Sequence, residues 1–481
     1  MKRTEYLILF LILIGAFVLR LYKINNPIGD WHAWRQVDTA SVTKIYLDQG
    51  VDLLRPRYYD ISSIQTGTFN PEGYRFVEFP IFNVFHAWLY QNLPVSLAAA
   101  GRLVSIVSAL SSMVALYLLG KRLVSQWVGL ASAFFYGVMP YNIFFTRVVL
   151  PEPMAVAFSL WGLLLFVYYI DSERLGWLFG SSVCFALAIL IKPFALFYGL
   201  PAVYLAKEKY GWRGILRNYW LLVALDVVLI PFFLWRAWMN RPPYLFGIPH
   251  LAWAFNGDGI RFRPSFWMWI FGERLGGLML GFWGLIPFGV GLAMKKGRND
   301  RGVLASLLFG MFLYVSIVAT ANVRHDYYQT FVVPAVALTL GYGSVAMWKG
   351  LAGFEKWTMR GLVIFSTGMM LLIGLYKVMP NYAINHPEMV LAGERVNELT
   401  PKDAWVIAPN NGDTMLLYQT GRFGWPVVDE SIEGMIEKGA DYYVSVNFGD
   451  PDSVNFPKKY ETIEKTNQYI ILDLRKEIPE R

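Results

Sequence analysis

Short clusters of ionisable side chains stand where the apolar runs of this sequence end, and their types suit one kind of chemistry. The stretch "GDWHAWRQVDTA" (29–40) packs Asp30, His32, Arg35, Gln36 and Asp38 between and beside Trp31 and Trp34. "FVEFP" adds Glu78, "RVVLPEP" brackets a turn with Arg147 and Glu152, and "LIKPFAL" sets Lys192 between two apolar half-runs. "NVRHDYYQ" groups Arg324, His325, Tyr327 and Tyr328, and Arg274 stands in "FGERLGG". A carboxylate so placed can take the proton of an attacking hydroxyl. Arginine, lysine, histidine and tyrosine donate hydrogen bonds to phosphate oxygens. The combination suits group transfer at an anionic ligand.

The elements that must position these groups are membrane helices. The 481 residues are 55% hydrophobic and 17% aromatic with only 16% charged, whereas a soluble domain carries roughly 25% charged residues. Apolar runs of near-spanning length recur and give about eleven spans, among them Trp127–Phe145 and Leu275–Met294. The first, Tyr6–Tyr22, reads as a retained helix, since no small-residue cleavage site follows it. The single cysteine, Cys184, excludes an internal disulfide and a cysteine-based metal cluster. The net charge of +8 reports topology before it reports nucleic acid, and no nucleic-acid partner is expected.

Lys2-Arg3, Lys121-Arg122, Arg174, Lys207/Lys209, Lys295-Lys296 and Lys349/Lys356/Arg360 all fall on one side of the alternating spans, which the positive-inside rule makes cytoplasmic. The other side receives the long first loop (24–95), the later acidic turns and the tail. All five histidines (His32, His86, His250, His325, His386) lie there or at its membrane edge. Several arginines, Arg35, Arg75, Arg147, Arg274 and Arg324 among them, defy the charge rule by lying there too, and an anionic ligand at the outer bilayer surface would account for them. The expected organisation is a transmembrane catalytic domain over residues 1–380, followed by a small extracytoplasmic α/β domain over 381–481. In the tail, "MVLAGERVNEL" has helical periodicity, and "AWVIAP", "DYYVSVNF" and "YIILDL" read as strands. This domain is expected to bind, cover or brace the site.

Each cluster also has a plainer reading. Asp38-Thr39 can cap a helix beginning near Ala40, though capping leaves Asp30, His32, Arg35 and Gln36 unexplained. Glu78 can favour a helix N-terminus, or orient a sugar or an arginine. Glu152, pinned by Pro151 and Pro153, can be a first-turn acid or a second carboxylate of the site. Lys192 at hydrocarbon depth is functional or snorkels to the interface. Tyr327 and Tyr328 suit a membrane belt as well as a phosphate.

At these residues the sequence resembles the GT-C glycosyltransferases, in the branch of the protein O-mannosyltransferases and the aminoarabinose transferase of lipid A. The matching elements, spread over Tyr6 to Trp348, are an outer loop opening with Asp38 in "WRQVDTA", Glu78 and Pro80 in "EFP", the acidic turn "RVVLPEP", the Lys-Pro turn of "LIKPFAL" and the "RHDYYQTFVVP" entry to a late span. The resemblance implies a polytopic helical GT-C fold and sugar transfer from a polyprenyl-phosphate donor to a protein, glycan or lipid acceptor. Asp38 and Glu152 would be the catalytic carboxylates, with Asp38 as general base of an inverting displacement. Arg35, Glu78, Arg147, Lys192, Arg274, Arg324, His325, Tyr327 and Tyr328 would bind the donor's phosphate and sugar. The aminoarabinose transferase has lysine directly after the acid matching Glu78; Phe79 here argues against lipid A as acceptor. No metal or other cofactor is required, while a divalent cation between Asp38 and Glu152 stays admissible. The expected location is a plasma (inner) membrane, with the N-terminus cytoplasmic and the site outside. A flippase or transporter of lipid-linked glycans, and a polysaccharide ligase or polymerase, are the competing classes.

Overall fold

Long apolar helices make most of the chain, and a small mixed sheet closes it. The computed structural model describes residues 2–242, 244, 252–294 and 298–479; His250, Lys295 and Lys296 lie outside them. The chain divides into two units, one of Met1–Ile24 with Arg102–Pro380 and one of Asn25–Gly101 with Asn381–Arg481.

In the helical unit, Leu97–Leu123, Glu152–Ser172, Tyr219–Met239 and the stretch opening at Lys356 are long and apolar enough to cross a membrane; Leu175–Ile191 and Gly302–Ile317 are shorter apolar helices. Tyr219–Met239 buries only 11% of its apolar window, which fits a helix solvated by lipid. Several expected spans are interrupted. The run Trp127–Phe145 divides into the helices Gln126–Val138 and Pro140–Phe145. Pro140 has no N–H to give the carbonyl of Tyr136, and the Asn142 side-chain amide takes that carbonyl instead at 2.6 Å. Buried Arg20 takes the next open carbonyl, Gly137, at 2.9 Å and bonds Thr146 at 2.8 Å. The expected span Leu275–Met294 is likewise cut, into the π-helix Met268–Met279 and the helix Leu285–Ala293.

In the other unit, a five-stranded sheet runs in the order β2-β1-β3-β5-β4, with β1 Trp405–Ile407, β2 Gly424–Trp425, β3 Ala440–Ser445, β4 Tyr460–Lys465 and β5 Ile470–Glu477. β1 pairs parallel to β2 and β3; β5 is antiparallel to β3 and β4. Successive strand residues point to opposite faces. Val406, Val444 and Ile471 therefore pack with Met389 and Val396 of the helix Pro387–Leu399. Ile407, Tyr443 and Leu472 pack on the other face with Ile432 and Met435.

The first long loop (24–95), which the sequence reading puts with the membrane domain, packs into this sheet unit. Ile45 and Tyr59 enter one core; Ile61 enters the other, with Phe69 packed against it. The segment Tyr59–Ile61 also adds to the β2 edge, with Gly424 N–H donating to the Tyr59 carbonyl at 3.0 Å and Ile61 N–H to the Gly424 carbonyl at 2.9 Å. A Cβ on Gly424 would lie 1.7 Å from the Val406 carbonyl oxygen, so only glycine fits between β1 and the loop.

Candidate active site

Asp38 lies inside the helix Ala33–Gln49, not before it. The expected cap is thus corrected: the chain turns into the helix at His32, whose φ of 58° is left-handed and which makes no side-chain cap. The Asp38 carboxylate reaches sideways to tertiary partners. It is fully buried and ion-paired to Arg75 at 3.0 Å through Oδ2. Gln65 Nε2 donates to the same oxygen at 3.3 Å, and the Thr414 hydroxyl donates to Oδ1 at 2.6 Å. A carboxylate has about four lone-pair positions, so three donors leave roughly one, on Oδ1, for a further proton. Sequence reading noted Arg75 only as an arginine against the charge trend and missed Gln65 and Thr414. Nothing local to either signals the pairing.

Arg35 makes an ion pair with Glu78 and bonds Thr39 at 3.3 Å. Of the readings open for Glu78, the one in which it orients an arginine matches the geometry. Gln36 donates to Asp30 Oδ1 at 2.6 Å. Burial first, then the charge of Asp38, pushes the Asp413 carboxyl up to about 6, against the bond it accepts from Met415 N–H and the charges of His386 and His32.

Asp60 is also pushed up to about 6, chiefly by burial, against the bonds it accepts from Ser62 and Tyr58. A carboxyl raised on folding holds its proton more tightly in the native state. Its contribution to stability is present below about 4 and lost as pH rises from about 4 to about 6. Asp60→Asn should flatten that slope and raise stability at pH 7 by up to about 3 kcal/mol. Thermal unfolding from pH 4 to 7 checks this; an unchanged slope would assign the titration elsewhere.

In the helical unit, Glu152 is the first residue of Glu152–Ser172, and Lys192 ends Leu175–Ile191 in an extended conformation before Pro193. The break expected at Lys192-Pro193 is present. It swings Lys192 onto Glu152 at 3.0 Å, both buried, with the ammonium 5.5 Å from the Tyr328 ring centre. Tyr328 is fixed by its neighbours: its carbonyl accepts from Tyr314 at 3.0 Å, and its ring packs beside Tyr327 at 4.6 Å and Phe194 at 5.8 Å. His325 stacks on Tyr327 at 5.6 Å. Arg274, from the π-helix, donates to the Val323 carbonyl at 3.0 Å and lies 3.5 Å from Asp326; its Nε has no hydrogen-bond partner among the described residues.

Two expected phosphate contacts sit differently. Arg147 is wholly buried and donates to the Lys23 carbonyl at 3.2 Å, beside Arg102, which takes the Ile24 carbonyl at 2.8 Å. These bonds tie down the chain leaving the first helix. Arg324 is 60% exposed and lies 3.7 Å from Asp258. Among the described residues no three His, Cys, Asp or Glu side chains gather as metal ligands.

The fold of broken apolar helices with a terminal mixed sheet has counterparts among family models and solved structures. Residues 79–238 match the family model described as dolichyl-phosphate-mannose-protein mannosyltransferase. The fold is similar to that of ArnT from Cupriavidus metallidurans bound to undecaprenyl phosphate, over 97% of each chain, with a TM-score of 0.67 and 13% identity. It is also similar to the archaeal oligosaccharyltransferase AglB from Archaeoglobus fulgidus, in complex with an inhibitory peptide and a dolichol-phosphate. That match covers 100% of this chain and 76% of AglB, with a TM-score of 0.54 and 10% identity. No curated protein sequence matches the chain.

Proposed function

We propose that this protein is an integral-membrane glycosyltransferase that moves a sugar from a polyprenyl-phosphate carrier to an acceptor hydroxyl outside the cytoplasmic membrane, with inversion. The observation that carries the reading is the Glu152–Lys192–Tyr328 cluster, buried where long apolar helices begin and end. Ionisable groups at such depth are expensive and mark function by default. The likeness in fold to a chain that binds undecaprenyl phosphate supports the same reading.

Lys192, Arg274, His325, Tyr327 and Tyr328 would hold the donor phosphate and stabilise the charge it gains as the sugar leaves. Glu152 would set the position of Lys192. Asp38 would take the acceptor's proton as the hydroxyl oxygen attacks the anomeric carbon, and the carbon–oxygen bond to phosphate breaks with its electron pair on the phosphate. Arg35, held by Glu78, would contact the sugar or phosphate.

Purified protein given a radiolabelled polyprenyl-phosphate hexose tests the class. Label leaving the lipid, with polyprenyl phosphate as co-product, is the expected result. Intact lipid crossing a vesicle wall would make the protein a transporter. Reaction only with a lipid diphosphate would make it a ligase or polymerase.

Thr414 gives a finer prediction. A hydrogen bond to a charged group is worth about 1.5–3 kcal/mol, so Thr414→Val should lower kcat roughly ten- to a hundredfold with KM little changed. Thr414→Ser, which keeps the hydroxyl, should recover most of the rate. A rise in KM alone, or no rescue by serine, would deny Thr414 a role in positioning Asp38.

A further inference from the structure

The helical unit holds a second place built for a ligand, away from the ionic cluster at Lys192. An apolar groove of about 800 Å³ opens between the helices Lys2–Arg20, Gln126–Val138, Val333–Lys349 and Lys356–Val378. Ile8, Ile12, Phe134 and Ile364 line its walls. Its size falls within the usual range for small-molecule pockets, roughly 300–1,000 Å³. Its charged lining residue, Lys349, stands at one end. Gly341 packs so closely on Ser132 that a Cβ would lie 2.7 Å from the serine backbone nitrogen. That contact fixes the two helices so that Lys349, at the end of one, and Trp127, at the start of the other, share that end with Trp348.

Two side chains there call for a ligand. Lys349 lines the groove, is exposed, and has no carboxylate partner among the described residues. The acid nearest to it in sequence, Glu355, is turned away to cap Trp357 N–H at 2.8 Å. Arg360, bonded to the Trp348 carbonyl at 3.2 Å, adds a second cation to the same end. Deeper in, the Ser344 hydroxyl is buried without a hydrogen-bond partner. Ser108, Ser112, Ser132 and Thr339 of this unit all turn back to the carbonyl four residues earlier, whereas Ser344 does not. It lies five residues before Lys349, roughly 7.5 Å along the helix.

We propose that this groove is a binding site for an anionic glycerophospholipid of the bilayer. Its phosphate would rest on Lys349, its ester oxygens, one and a half turns deeper, would accept from Ser344, and an acyl chain would fill the apolar walls. Trp127 and Trp348 supply the interfacial flank that such a headgroup needs. The charge pattern of the sequence puts this end toward the cytoplasmic leaflet, where anionic lipids concentrate.

The test needs no enzymatic activity, so its failure is separate from that of the proposed function. Full-length protein is extracted in mild detergent, supplied with equal phosphatidylglycerol and phosphatidylcholine, and its retained lipid is counted by native mass spectrometry. Wild type should retain phosphatidylglycerol preferentially. Lys349→Glu, a surface change, should lower that preference at least about fivefold, the loss expected for one cation near a headgroup. Ala131→Trp, which fills the groove, should abolish retention of both lipids. An unchanged preference in Lys349→Glu would overturn the proposal. So would displacement of phosphatidylglycerol by equimolar undecaprenyl phosphate, which would make the groove a site for the donor's tail.

Discussion

Asp38→Asn should reduce sugar transfer by roughly 10²–10⁴-fold, the usual contribution of a general base. The variant has a second effect that must be separated from the first. Arg75 is buried against Asp38, and removing one member of a buried ion pair costs about 3–5 kcal/mol, because the other charge stays buried alone. The new amide would also turn a donor toward Arg75 or Gln65, both donors themselves. Asp38→Asn should therefore melt earlier as well as lose activity. The double variant Asp38→Asn/Arg75→Met removes the stranded charge and should regain much of the lost stability. If Asp38 is the base, the double variant stays inactive. Recovery of turnover alongside stability would reduce Asp38 to a counter-ion for Arg75.

The second large effect is expected at Lys192. Lys192→Met should lower transfer by roughly 10²–10³-fold, the loss typical when one donor to a developing negative charge is removed. Glu152→Gln should instead act on stability, stranding the Lys192 ammonium at a cost of about 3–5 kcal/mol. The cycle is decided by Glu152→Gln/Lys192→Met. A structural pair predicts that the double variant recovers stability and rate together. A phosphate-binding lysine predicts recovered stability with the rate still lost. Transfer assays and thermal unfolding on the same four preparations give both readings.

Much of the architecture was legible because it is written locally. Apolar run length marks the helices, and proline marks the break at Lys192, which turns extended before Pro193. The helix Pro387–Leu399 and strands β1, β3 and β5 follow from periodicities of 3.6 and 2. β2 escaped notice: two residues long, it is a strand only through its neighbours. β4 escaped as well; its residues alternate poorly because most are exposed. The Asp38 cap was misread for a related reason. Asp-Thr before an apolar stretch is a sound cap signal, but Arg75 offers the carboxylate a stronger partner than a backbone N–H, and the helix begins at Ala33, about two turns earlier.

By itself the sequence determined that the chain is built of apolar helices with a small sheet at its end. It also picked out Asp38, Glu78, Glu152, Lys192 and the 324–328 stretch as the places where chemistry gathers. Those properties depend on composition and near-neighbour spacing, which one dimension carries in full. Only the tertiary structure decided what each group touches. Thr414 reaches Asp38 across 376 residues of chain, Arg147 turns to a backbone carbonyl, and the first loop folds into the C-terminal sheet. Such pairings are chosen by the cost of leaving a buried charge or a sheet edge unsatisfied, and that cost exists only once distant segments have come together.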